Sequence, residues 1–342
     1  MTRLYIAITI ILTTLLSTQT FAQGNSGTLL IANRIGGSVS MIDLQTKTEI
    51  ARLPIGPVVP HEMATSPDGR WAVTSEYGTG NNPGRHLLVI DVAAASFVSR
   101  IDVGPNTRPH SIHFLSNNRH VVVTMEQASE LALVDIIDGT IVRTYPTGGQ
   151  DSHMVRLAPD DSRAYVASRG SGTLSVIWLN EDRPPEVIET GARAEGIAVS
   201  PDGLQIWIAN QGNSTISIID AITLEARTAL TGITTNRIEF LPDGQAVLPG
   251  GFNTDNRARH ITVFDGDTLE VTRTLELPAS NSSGTGVRLL AADNALFLAD
   301  SALNEISVFD PASGSAPERL GFYPDNVDGM AWSPRRIAIL GD

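Results

Sequence analysis

The chain repeats itself. The segment HEMATSPDGRWAVTSE, starting at His61, returns in altered form as EGIAVSPDGLQIWIANQ from Glu195, and weaker copies begin near His110, His153, Asn236 and Gly286. A period of roughly 40–48 residues with several short strands per unit points to a β-propeller or a related array. One such unit cannot bury its apolar faces alone and must stack against its neighbours.

A complete unit is readable over residues 195–232. EGIAVS predicts a first strand, and Pro201-Asp202-Gly203 a tight turn, with proline presetting φ and glycine taking the left-handed position. QIWIAN, STISIID and LEARTALTG supply three more strands, so each unit predicts a four-stranded antiparallel blade. Further units run over 61–104, 110–149, 153–191, 236–279 and 286–324. The two ends complement each other. TLLIAN, SVSMIDL and EIARLPIG (28–56) supply only second, third and fourth strands, whereas DGMAWSPRR from Asp328 offers only a first strand and its turn. The expected fold is therefore all-β: a seven-bladed β-propeller of four-stranded antiparallel blades, with the first blade closed by the C-terminal strand. Closure of this kind covers the edge that the second strand would otherwise leave free to recruit other chains. RIAIL (336–340) competes with TLLIAN for the same place in that blade.

Residues 1–22 read as a signal peptide: Arg3, an apolar stretch over 4–16, and Thr20-Phe21-Ala22 as the cleavage site. The mature domain then spans 23–342, and its expected location is periplasmic or secreted. The apolar run is short and threonine-rich for a membrane anchor, and no later segment approaches the length of a span. With no cysteine, there are no disulfides, no thiol nucleophile and no thiolate ligand. A net charge of −13 repels nucleic acid and anionic lipid, leaving a protein or a small molecule as the expected partner.

The combination of SPDG, a second strand ending in Ala-Asn, SVSMIDL or STISIID, and a fourth strand ending in Gly resembles the YVTN-type propeller repeat over nearly the whole mature chain. The Gly-His and Trp-Asp pairs of WD40 repeats are missing. The resemblance implies an extracytoplasmic propeller of the kind that includes surface-layer proteins and YncE-like periplasmic proteins. It does not imply one activity.

First strands of a propeller surround a central channel. Seven residues before the turn Asp of each unit lies one equivalent position per blade, occupied by His61, His110, His153, Glu195, Asn236, Gly286 and Asp328, with Asn117 and Arg335 as turn equivalents in two units. Glu76 and Glu126, at the ends of second strands, fall on the same face, followed by Arg169 and Gln211. His113, three residues into its strand, should face away from His110 or lie deeper. Imidazoles from adjacent blades can converge on one ion. His61, His110 and His153, with Glu76 or Glu126 as ligand or orienting group, suit zinc, copper or iron better than calcium. The competing reading is structural, with the His side chains bonded to neighbouring backbone.

RPHSIHF (108–114), followed by VVVTMEQ, also resembles, more weakly, the motif of seven-bladed lactonases of the phosphogluconolactonase type. That resemblance implies Arg108 holding an anionic substrate and His110 or Glu126 activating water. The order here is Arg-Pro-His rather than Pro-Arg-His. No Gly-x-Ser-x-Gly elbow, P-loop, dinucleotide fingerprint or EF-hand is present. Two long connections, 77–86 and 250–260, should rise beside the His positions; they are either recognition loops or surface insertions. Trp71, Trp178, Trp207 and Trp332 are expected to pack between blades. A binding module, a metal-dependent or lactonase-like enzyme, and a scaffold with an empty channel all remain open.

Overall fold

The computed structural model describes residues 26–250, 259–278, 286–292, 295–311 and 316–337. Seven four-stranded antiparallel sheets follow one another around a ring, and the described residues contain no α-helix. No helix is long and apolar enough to cross a membrane among them. The proposed signal peptide (1–22), most of the 250–260 connection and the end of RIAIL lie outside the described residues.

Blade 1 is built from both ends of the chain. Its strand order is Val327–Ser333, Thr28–Asn33, Ser38–Asp43, Thr48–Pro54. Thr28 pairs with Ser333 and Leu30 with Ala331 on one side, and with Asp43 and Met41 on the other. TLLIAN thus holds the second-strand place, and DGMAWS closes the ring as the innermost strand. Inner strands of blades 2 to 5 are Pro60–Thr65, Pro109–Phe114, Ser152–Leu157 and Ala194–Val199. Those of blades 6 and 7 are Glu239–Phe240 and Val287–Ala292.

The second and third strands are buried on both faces, and their sequences are accordingly near-continuous apolar runs. The core divides into seven clusters among the described residues, one between each pair of neighbouring blades. Val73, Leu87 and Val89 of blade 2 pack with Val121, Val123 and Ala132 of blade 3. The adjacent Ala72, Leu88 and Ile90 pack the other way, with Leu30 and Met41 of blade 1. Alternate side chains of one strand therefore bind a blade to both neighbours. Trp207 lies fully buried in the cluster between blades 5 and 6, against Phe240. Trp71, Trp178 and Trp332 pack at cluster margins.

The recurring turn and strand-end residues have local causes. In SPDG, the Ser200 hydroxyl donates to Asp202 Oδ1, which also accepts the Leu204 N–H, and Gly203 sits at φ +75°. Asp at the end of third strands accepts two N–H groups of the following turn: Asp43 from Gln45 and Thr46, Asp220 from Ile222 and Thr223. These turns occupy the end of the ring opposite the His residues.

Candidate functional site at the channel mouth

The equivalent positions read from the repeat do converge. His61, His110, His153, Glu195, Asn236 and Asp328 are all buried at one mouth of the channel. The strands carry a device that aims them there. Register shifts fall between Pro60 and Met63, Pro109 and Ile112, Ser152 and Met154, and Ala194 and Gly196. A fifth lies opposite Asp328, between Ile31 and Asn33. Each is a β-bulge holding the ring residue, and a bulge re-aims side chains that regular pleating would alternate. In four blades the residue two positions earlier is a non-glycine in the left-handed region: Arg108, Asp151, Arg193 and Asn326, at φ +49° to +61°. Non-glycine backbone held there costs free energy that the surrounding structure must offset.

The hydrogen bonds assign tautomers. His61 Nδ1 lies 2.5 Å from Asp328 Oδ2, and His153 Nδ1 lies 2.9 Å from Glu126 Oε2. A carboxylate only accepts, so each ring donates through Nδ1 and turns a lone pair on Nε2 toward the cluster. His110 Nε2 is 2.9 Å from His61 Nε2 and therefore carries the proton between them. That leaves the lone pair on His110 Nδ1, which is buried without a hydrogen-bond partner. The His110 and His153 rings stack with centroids 3.9 Å apart.

Burial is the first cause holding His110 and His153 well below the usual imidazole range. The charges of His153 and His61 add to it at His110, and those of Arg169 and Arg237 at His153. Both rings are thus neutral at physiological pH, as metal ligation requires. Burial pushes the Asp328 carboxyl up, but the His61 hydrogen bond and the Arg288 and Arg34 charges outweigh it and hold it well below the usual carboxylate range.

Among the described residues, two groups bring candidate ligand atoms within 4.8 Å of one another: His61, Glu62 and His110, and His110, Glu126 and His153. Glu126, one of the two carboxylates read from the repeat, lies in the second group. Its carboxylate also accepts from the Tyr77 hydroxyl at 3.1 Å and from Arg169 at 3.2 Å, and Arg108 approaches to 3.7 Å. Glu76 is not a member: it bonds His86 Nδ1, because the 77–86 connection returns His86 beside it. Arg108 is fixed by the Thr79 and Gly80 carbonyls and lies over the Tyr77 ring.

Sequence reasoning missed Glu62, Arg237, Arg288 and Tyr77. Arg237, itself buried, donates to Glu62 Oε1 at 2.6 Å, and Arg288 donates to Asp328 Oδ1 at 3.1 Å. A usable signal existed one residue after each ring position, where Glu62 and Arg237 stand among Ser111, Met154, Gly196, Val287 and Gly329. Tyr77 packs on His61 with centroids 4.6 Å apart. A groove of about 600 Å³, lined by Arg34 and by residues 35–37, 56–59 and 78–80, opens beside the cluster.

His113 lies deeper, as expected. Its Nδ1 accepts the Leu157 N–H, and with Arg156 and Glu239 it lines a cavity of about 290 Å³ among the SPDG-type turns at the opposite mouth.

No protein-family model and no curated sequence matches the chain. Solved structures do. A protein of unknown function from Desulfotomaculum acetoxidans DSM 771 superimposes with a TM-score of 0.69 at 13% identity, covering 91% of this chain and 100% of that one. Hydrazine synthase of Kuenenia stuttgartiensis gives 0.60 at 17% identity, covering 73% and 76%. At such identities the likeness extends to the architecture, and the chain is a seven-bladed β-propeller.

Proposed function

We propose that this protein is an exported binding propeller whose channel mouth binds transition metal, with His61, His110 and His153 as the available nitrogen donors and Glu62 and Glu126 as carboxylates beside them. The observation that carries the reading is His110 Nδ1, a buried lone pair without a partner. An orphaned buried polar atom costs roughly 1–3 kcal/mol, a cost that a bound ion would relieve. The surroundings fit a ligand set. Asp328, which belongs to neither ligand group, orients His61 through Nδ1, the carboxylate–histidine arrangement that fixes a ligating ring. Nitrogen with oxygen suits zinc, copper or iron. The groove lined by Arg34, which pairs with Asp328, offers a small molecule or a partner a place to dock near the cluster. Export rests on the signal-peptide pattern of residues 1–22.

The lactonase-like alternative is less well served. Glu126 is buried and tied to Tyr77, Arg169 and His153, so it is poorly placed to take a proton from water. Elemental analysis by mass spectrometry of the mature chain, purified without chelator or nickel resin, tests the metal reading. Near-stoichiometric zinc, copper or iron, lost in a folded His110→Asn variant, is the expected result. A chain that stays metal-free after reconstitution with all three ions refutes it.

A further inference from the structure

The two ligand groups share His110, but neither contains both His61 and His153. One ion therefore cannot take all three imidazoles without rearrangement, whereas two ions can. The two nitrogens of His110 already serve different sides. Nε2 faces His61 Nε2 at 2.9 Å, and Nδ1 is the buried orphan. We propose that the mouth is a two-metal centre in which the His110 ring bridges the ions, one held with His61 and Glu62 and the other with Glu126 and His153. The inference rests on the metal reading above and deepens it.

The geometry is close to what bridging needs. Two imidazole nitrogens on one tetrahedral ion stand about 3.3 Å apart. The pocket between His61 and His110 therefore has to open by only roughly 0.4 Å when an ion replaces the shared proton. That proton leaves to solvent, and His110 becomes an imidazolate with one metal–nitrogen bond at each end; His153 moves its proton from Nδ1 to Nε2, which frees Nδ1 and the Glu126 oxygen it had bonded for the second ion. Its negative charge lies between the two cations and reduces their repulsion. Each half of the site has one carboxylate, Glu62 or Glu126, and each carboxylate is anchored by arginine, Arg237 or Arg169. The stack of His110 on His153 and the edge contact of His110 with His61 hold the middle ring between its partners.

Titration of the metal-free mature chain with copper(II) alone, followed by electron paramagnetic resonance, tests this. The expected result is binding of two equivalents, with the signal rising over the first and collapsing over the second as the ions couple through the imidazolate. In His110→Asn, whose folding is checked by its melting curve, that collapse is lost. Glu126→Gln keeps one equivalent and an uncoupled signal. Saturation at one equivalent, or two equivalents with simply additive signals, overturns the bridge while leaving the metal reading intact. No bound copper, zinc or iron overturns both.

Discussion

The imidazole of His113 makes acid sensitivity of the fold measurable at one residue. Burial first, and the Arg156 guanidinium second, hold it down to about 3, against 6.5 for an unperturbed ring. The folded state keeps this ring neutral while the unfolded chain protonates it below 6.5, so the unfolded state binds more protons and stability falls as pH drops through that window. Near pH 5 the penalty is about 2 kcal/mol, from 1.5 pH units of linkage. The ring borders the lower cavity, which makes that figure an upper bound. His113→Asn keeps an acceptor for the Leu157 N–H and removes the titration. Urea denaturation of both metal-free chains, at about pH 7.5 and about pH 5 and constant ionic strength, isolates the effect, since all other groups cancel in the difference. The variant should gain on the native chain by up to about 2 kcal/mol on acidification. A stability gap that does not change with pH refutes the assignment of His113 as a buried neutral ring.

Three other perturbations bear on the channel and its closure. Glu62→Gln strands the buried Arg237 and should cost about 3–5 kcal/mol in urea denaturation; a loss below about 1 kcal/mol would mean that the pair is well solvated. Gly329→Ala places a Cβ against the His61 carbonyl oxygen, so a loss of roughly 1–3 kcal/mol is expected, with reduced metal retention; an unchanged melting curve would contradict the close approach of the two inner strands. Truncation after Asn326 removes the innermost strand of blade 1 and exposes the Thr28–Asn33 edge, so the chain should elute from size exclusion as aggregate, and a monodisperse monomer would show closure to be dispensable.

The architecture was legible because the repeat states it in positions that can be counted. The Asp of each turn marks a phase, and seven residues back the count lands on His61, His110, His153, Glu195 and Asp328, all at one mouth. Closure was readable from the complementary ends of the chain. What escaped was local. A bulge at His61 lets two consecutive residues reach the interior, so Glu62 joins His61 where strict alternation would turn it away. Glu76 and Glu126 hold equivalent positions, yet only Glu126 enters the cluster. The difference lies in the start of the next strand, where blade 2 has His86 to capture the carboxylate and blade 3 has Glu130. Arg237 follows Asn236 in a stretch without strand structure, where periodicity says nothing about direction.

The last strand also sets an order of assembly. Asp328, which orients His61, lies 267 residues further along the chain. A polypeptide emerging N-terminus first therefore has all three histidines in hand long before the group that fixes the first of them. Until that strand arrives, blade 1 has an open edge and His61 can rotate. Ring closure and completion of the histidine cluster are then a single late event, so whatever the mouth binds meets an unfinished pocket before it.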